Sequence, residues 1–230
     1  MHKVQELFDE HQDEPKEAAD FFTMDLGEGL EPPPSLNKLY ELSIDAYYSA
    51  VYARMSELPI AAEISRFMVK VGKCRDRNEA AKAASDRGDP DVLAVLKAAG
   101  KAGHEAHRLM GLLRFTEEDG RYTARCSPDH FILPALADHF TLRFGETPWA
   151  IIDEKRGVCL CREPGGKARL VKHSRNEGEN QEAAGSWEDL WRLYFRSVNN
   201  EGRKNPTLQR QLMPVRYHKY LTEMQPGGKM

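Results

Sequence analysis

The feature that most constrains this chain is a change of hydrophobic period near residue 110. In "SLNKLYELSIDAYYSAVYARMSEL" apolar residues fall at positions 36, 39, 40, 44, 47, 48, 51, 55 and 58. That spacing lines one face of a helix, with Ser35 placed to cap it. "PIAAEISRFMVKVG" repeats the pattern and stops at Gly72, and "NEAAKAASDRG" predicts a short alanine-rich helix. In "GDPDVLAVLKAAGKAGHEAHRLMG", Asp89 is the expected cap and Pro90 the first helical residue, where a missing N–H costs nothing. The small residues Ala98, Ala99, Gly100, Ala102 and Gly103 lower helix propensity there. They predict that another element approaches closely.

Beyond residue 110 the pattern alternates. "LLRFTEEDGRYTARCS" predicts a hairpin turning at Asp119–Gly120, and "WAIIDEKRGVCLCRE" with "KARLVKH" predicts strands around a turn at Lys155–Gly157. "SPDHFILPALADHFTLRF" returns to helical spacing, with Ser127 as cap, Pro128 in the first turn and Pro134 bending the helix. "SWEDLWRLYFRSV" predicts a helix opened by a capping box from Ser186 to Asp189. "NPTLQRQL" and "MPVRYHKYL" read as short helices started by proline. The fold class expected is α+β: a helical N-terminal half packed on a small antiparallel sheet with interleaved and C-terminal helices. The expected organisation is an acidic lead-in and proline-rich break over 1–35, one domain over 36–225 (helical to 110, sheet plus helices after 111) and a tail at 226–230.

Charge is unevenly spread. Residues 1–35 hold ten acids against two lysines, a net −8, so residues 36–230 carry +5 within a total of −3. The segment "SVNNEGRKNPTLQRQLMPVRYHKYLTEM" is basic and rich in amides and aromatics. Arg203, Lys204, Arg210 and Arg216 supply charge, helix-start amides after Pro206 and Pro214 suit anions, and Asn205 and Gln209 suit base edges or phosphates. Tyr217 and Tyr220 suit stacking on unpaired bases. The plain alternative is a C-terminal clamp whose aromatics close the core and whose charges are solvated. On the strands, Arg121 and Arg125 are expected to share one face, with Arg114 turned away from Leu113 and Phe115. A sheet with one apolar and one basic face suits nucleic acid, and equally suits plain solvation.

His104 and His107 lie three apart in "GHEAHR", one residue short of the zincin spacing, and read as a surface or packed pair. His139 and Arg143, four apart, share a helix face, and Asp153 lies just beyond. Cys159 and Cys161 in "VCLCRE" fall on one face of a strand. With Cys74 and Cys126 they form no zinc pattern and are expected to be ordinary reduced thiols, a redox or metal role for the pair being the alternative. No metal or other cofactor is expected. The absence of a long apolar run predicts no membrane span, and the acidic start lacks a secretory leader's apolar stretch.

The blocks "EAHRLMGLLRF", "SPDHFILPALADHFTLRF", "WAIIDEKRG", "LWRLYFRSV" and "NPTLQRQLMPVRYHKYLTEM" resemble, in that order, the bacterial family known as domain of unknown function 4130. The resemblance runs over residues 36 to 225. Its members are labelled DNA-metabolism or DNA-repair proteins, occur beside or fused with a radical-SAM protein of DNA-repair type, or precede a uracil-DNA glycosylase-like domain. No catalytic mechanism comes with it. The motif residues it maps here include His107, Arg114, His139, Arg143, Trp149, Asp153, Asn205, Gln209, Tyr217 and Glu223. Family members open with a strand of the type Tyr-Asp-Gly-Ser/Thr-Phe, which nothing before residue 36 matches. His218 stands where the family often has Trp. The missing strand predicts an unpaired sheet edge, covered by residues 1–31 or paired in a dimer.

The resemblance thus implies a DNA-metabolism accessory protein that binds DNA and works with a radical-SAM or glycosylase-like partner, and the reduced thiols predict a cytoplasmic one. Two other readings stand beside it. One is an enzyme acting on a phosphate-containing substrate through His107, Arg114, His139, Arg143 and Asp153, with His107, His139 and Asp153 as the catalytic candidates. The other is a protein-interaction module without nucleic-acid contact.

Overall fold

The computed structural model describes residues 33–118, 120–173, 191, 194, 197 and 205–224. They fall into two compact units: residues up to His107 with Pro128–Leu136, and Arg108–Ser127 with Ala137 onward.

The first unit is helical. Ser35 caps α1 (Leu36–Leu42) by accepting the Lys38 N–H at 3.3 Å. The single helix expected through residue 58 breaks at Ser43, whose extended backbone closes α1 while its hydroxyl accepts from Ala46 and starts α2 (Ile44–Met55). A serine hydroxyl competes with the backbone ladder in this way, so one hydrophobic stripe becomes two helices. In α3 (Ala61–Gly72), Ile64, Phe67, Met68 and Val71 are buried. A Cβ on Gly72 would lie 2.7 Å from Pro34 Cγ, so a close chain approach holds this position to glycine. Asp76 caps α4 (Arg77–Ser85) through two N–H groups at 2.9 Å.

Asp89 caps α5 (Pro90–Leu112) as expected, accepting from Asp91 and Val92. Ala98, Ala102 and Ala106 are buried, and a Cβ on Gly103 would sit 3.8 Å from Tyr52. Among the described residues nothing lies within 4 Å of a Cβ on Gly100, so there the small residues serve packing along one stripe. Residues 127–132 are not helical: the helix expected from Ser127 begins as α6 (Leu133–Phe144), with Pro134 in its first turn.

The second unit carries a five-stranded sheet in the order β1 (Phe115–Glu118), β2 (Arg121–Cys126), β3 (Trp149–Asp153), β4 (Val158–Arg162), β5 (Arg169–Lys172). The sheet is mixed, which corrects the antiparallel expectation: β2 and β3 run parallel, and the other pairs are antiparallel. The reason is the connection. Between β2 and β3 the chain passes through α6, a crossover long enough to bring the next strand back in the same direction. Every other connection is short.

The register sorts side chains onto two faces. One face holds Phe115, Tyr122, Ala124, Trp149, Ile151 and Leu160. Phe140 and Phe144 of α6 pack here, with ring centroids 5.0 and 4.7 Å from Phe115 and Phe140 6.2 Å from Trp149. Trp149, Ile151 and Leu160 are fully buried. Among the described residues the sheet edges are β1 and β5, and the segment expected to cover an edge, 1–31, lies outside them.

The chain then enters α7 (Pro206–Leu212), a 3₁₀ helix over Val215–Tyr220 and a last turn at Thr222–Met224. Trp191, Tyr194 and Ser197 are helical, while the capping box at Ser186 lies outside the described residues.

Candidate functional site

The second face of the sheet is the one that faces away from Phe140 and Trp149. By register it carries Thr116, Arg121, Thr123 and Arg125 on β1 and β2, Ala150 and Ile152 on β3, Cys159 and Cys161 on β4, and Arg169 and Val171 on β5. Arg121 and Arg125 therefore share a face, as their spacing predicts, and β5 adds Arg169. The floor between them is small and buried, made of Ala150, Ile152, Cys159 and Cys161. Strand rise separates Arg121 from Arg125 by about 13 Å, and three strand spacings separate β2 from β5 by about 14 Å. Arg121 is bonded to Glu163, both partly exposed. Arg169 is exposed on the outer strand.

The C-terminal segment turns much of its chemistry inward. The Tyr217 ring is 1% exposed and has no face to offer a base. The Arg216 guanidinium lies 4.9 Å from its centroid and donates to its hydroxyl at 3.3 Å. Tyr220 donates to Glu154 at 2.7 Å, and Lys219 reaches the same oxygen at 3.3 Å. Burial and the Glu154 carboxylate push the Tyr220 hydroxyl well above its ordinary range. His218 Nε2 bonds the Met213 carbonyl. Asn205, a candidate for base or phosphate contact, spends its side-chain oxygen on the Leu208 N–H at 3.0 Å as the α7 cap. Gln209 and Arg210 stay exposed on α7, and Arg203 and Lys204 lie outside the described residues.

The catalytic candidates do not share one bonding network. Asp153 is fully buried at the end of β3, where it accepts from Arg156 Nη1 at 2.7 Å and from the Lys155 and Arg156 backbone. It is the turn residue of the β3–β4 hairpin. Burial raises its pKa despite Arg156. Arg114 precedes β1 and is bonded to Glu223 at 2.6 Å and to the Gly111 carbonyl at 3.1 Å. His107 is exposed, as is His104, and His107 closes the first unit while the other candidates belong to the second. His139 and Arg143 remain as a pair on α6. Burial first, then the Arg143 charge, lowers the His139 pKa, and among the described residues its buried Nε2 has no hydrogen-bond partner. Among the described residues no group of three or more His, Cys, Asp or Glu is placed to hold a metal ion.

Sequence reasoning missed Glu105. It sits between the two histidines of "GHEAHR" and was the residue of consequence there. Buried in α5, its two oxygens accept the Asp129 and His130 N–H groups at 2.9 and 2.8 Å. The His130 ring bonds the Ser56 carbonyl at 2.6 Å and the Phe131 N–H bonds Met55, so residues 129–131 are pinned without regular structure. The signal was available: Ala98, Ala102, Glu105 and Leu109 follow helical spacing, which sets an acid on the buried stripe. Glu105→Ala leaves two amides without their acceptor and is expected to lower stability by about 2–3 kcal/mol, while Glu105→Gln, which keeps one acceptor, costs less. Thermal denaturation of the two variants measures the difference.

The fold and these sites define an α+β protein with a mixed sheet whose one face is aromatic core and whose other face carries arginines over small buried residues. The model of DUF4130, a domain of unknown function, matches residues 63–223, and the chain belongs to that family. No curated protein and no solved structure matches the chain. Among the described residues no helix is long and apolar enough to cross a membrane.

Proposed function

We propose that this protein binds nucleic acid through the second face of its sheet, as a cytoplasmic accessory protein of DNA metabolism or repair. The observation that carries the reading is the convergence of Arg121, Arg125 and Arg169 on one face. A guanidinium suits phosphate because its fork of donors matches two oxygens at once. Three of them spread over about 13–14 Å span several successive phosphates of one strand. The Arg121–Glu163 pair is partly solvated, so exchanging the carboxylate for phosphate costs little. The four free thiols fit a reducing compartment. The DNA context, and a radical-SAM or uracil-DNA glycosylase-like partner, rest on the family resemblance.

A protein-interaction role has its own support. No residue of α7 is buried, and Leu208 and Leu212 are exposed four residues apart, followed by exposed Val215. Apolar residues in that pattern suit docking to a partner protein.

Fluorescence anisotropy with single- and double-stranded oligonucleotides separates the two. Wild-type protein is expected to bind, with affinity falling steeply as salt rises. Alanine at Arg121, Arg125 or Arg169 should each weaken binding and flatten the salt slope by roughly 1. A folded chain that binds neither oligonucleotide at low salt leaves the interaction role alone.

A further inference from the structure

Three carboxylates flank β3 and β4, and they are held differently. Glu146 uses both oxygens, accepting from Arg162 Nη2 at 3.1 Å and from the Gly165 N–H at 2.6 Å. One oxygen of Glu154 accepts from the Tyr220 hydroxyl at 2.7 Å and from Lys219 at 3.3 Å. Glu163 has no such anchor. Among the described residues its carboxylate is bonded to Arg121 alone. Both side chains of that pair are open to solvent, 42% and 45% exposed. The Glu163 backbone is fixed, its carbonyl accepting from the Gly166 N–H at 3.0 Å, so the side chain can swing while the chain beneath it stays in place.

Resting on the nucleic-acid reading above, we propose that Glu163 is a phosphate stand-in: it holds the Arg121 guanidinium until a backbone phosphate displaces it, and so limits the affinity of the arginine face. Strand alternation carried one residue past β4 sets Glu163 on the face of Cys159 and Cys161, the face that also carries Arg121, Arg125 and Arg169. A carboxylate and a phosphate present similar acceptor oxygens to a guanidinium fork, so the two compete for one set of donors. The tether gives Glu163 a high effective concentration at that fork, which an incoming strand has to overcome.

The other two carboxylates do not suit this role. Displacing Glu146 would take a partner from Arg162, which is 8% exposed and also donates to the Gly145 and Gly166 carbonyls. Displacing Glu154 would release the Tyr220 hydroxyl and Lys219 together. The Arg121–Glu163 pair lies at a solvated position, where an ion pair contributes little to stability, so breaking it leaves the fold intact. Once displaced, the Glu163 carboxylate stays near the phosphate that replaced it and repels it. Glutamine at this position keeps the size and an acceptor oxygen but loses the charge. Glu163→Gln therefore weakens the competition and removes the repulsion.

The test is fluorescence anisotropy of the whole chain with a labelled single-stranded oligonucleotide across a salt series. Glu163→Gln is expected to bind roughly three- to tenfold tighter than wild type, with a salt slope steeper by up to about 1 and an unchanged melting temperature. Glu146→Gln removes an equal charge from the same end of the sheet and is expected to change affinity by less than about twofold. In an Arg121→Ala background the gain from Glu163→Gln should shrink, since only repulsion is then left to relieve. A Glu163→Gln variant that binds no tighter than wild type would overturn the proposal. So would an equal gain from Glu146→Gln, or a Glu163→Gln gain that is the same with and without Arg121. The stand-in alone fails if wild type binds, loss of the three arginines abolishes binding, and Glu163→Gln changes nothing. If neither wild type nor Glu163→Gln binds at low salt, the nucleic-acid reading fails with it.

Discussion

Arg114→Ala is expected to destabilise the protein by about 3–5 kcal/mol, the range for stripping one partner from a buried ion pair. Glu223 is 2% exposed at its side chain, and both its oxygens accept from Arg114, Oε1 from Nη2 at 2.6 Å and Oε2 from Nε at 3.3 Å. Trp191 Nε1 adds a third bond at 3.0 Å, and the Arg114 guanidinium lies 5.4 Å from the Trp191 ring. Two segments 109 residues apart in sequence are tied at this point. Without Arg114 the carboxylate stays buried with its charge uncompensated.

The pH dependence has a definite sign. Burial pushes the Glu223 pKa up, but Arg114, the backbone amide and Trp191 together hold it below the ordinary carboxylate range. The pair's contribution is therefore complete above the ordinary carboxylate pKa of about 4 and is lost as pH falls through the depressed folded value. In Arg114→Ala burial acts unopposed by the guanidinium, so protonation of Glu223 relieves the variant. The stability gap to wild type is expected to narrow as pH falls from neutral, through the variant's raised Glu223 pKa down to the wild type's depressed one. Arg114→Met combined with Glu223→Leu should recover most of the loss, since removing both charges removes the desolvation cost as well. Chemical denaturation at pH 7 and pH 3.5 measures all three. An Arg114→Ala variant that keeps wild-type stability and loses only nucleic-acid binding would restore Arg114 as a phosphate contact.

Tyr217→Ala is expected to cost about 3–5 kcal/mol, in the range of other fully buried aromatics cut to alanine. Tyr217 lies 1% exposed in the 3₁₀ helix, capped on one side by Arg216. Tyr217→Phe keeps the buried ring and gives up the hydroxyl, which accepts a long bond from Arg216, so it should cost less than the alanine variant, about 1 kcal/mol for a bond of that kind. Below its melting temperature the alanine variant should bind oligonucleotides as wild type does, because the ring is not part of the binding face. Loss of binding without any change in melting temperature would instead make Tyr217 a stacking residue.

Local signals carried the fold as far as local physics could. Ser35, Asp89 and Pro90 mark helix starts because capping needs only neighbours within four residues, and the Lys155–Gly157 turn closes its hairpin for the same reason, while Asp119 of the other expected turn lies outside the described residues. Ser43 and Ser127 were ambiguous, since a serine hydroxyl serves a break as well as a start. At Ser43 the local bond from the Ala46 amide makes the break, and after Ser127 the tertiary acceptor Glu105 takes the Asp129 and His130 amides. The parallel β2–β3 pairing depended on where α6 delivers the chain, which no alternation pattern records. At the candidate sites the arginines of β2 were legible because strand period 2 fixes their face. Arg169 joined them only through the β4–β5 register. Arg114, Asp153 and Asn205 were read as outward chemistry. Their partners Glu223, Arg156 and the Leu208 amide show that a polar residue in a motif is often there to hold the backbone. The basic ending of a mildly acidic chain is in good part such a scaffold.

The measurement that bears most directly on the nucleic-acid reading is the salt dependence of oligonucleotide binding by wild type and by the combined Arg121→Ala, Arg125→Ala and Arg169→Ala variant, both checked for an unchanged melting temperature. Wild type should bind single or double strands at low salt with a slope that reports several phosphate contacts, and the triple variant should lose nearly three units of that slope with most of the affinity. Equal affinity and equal slope in the two proteins, or no binding by wild type at low salt, would contradict it.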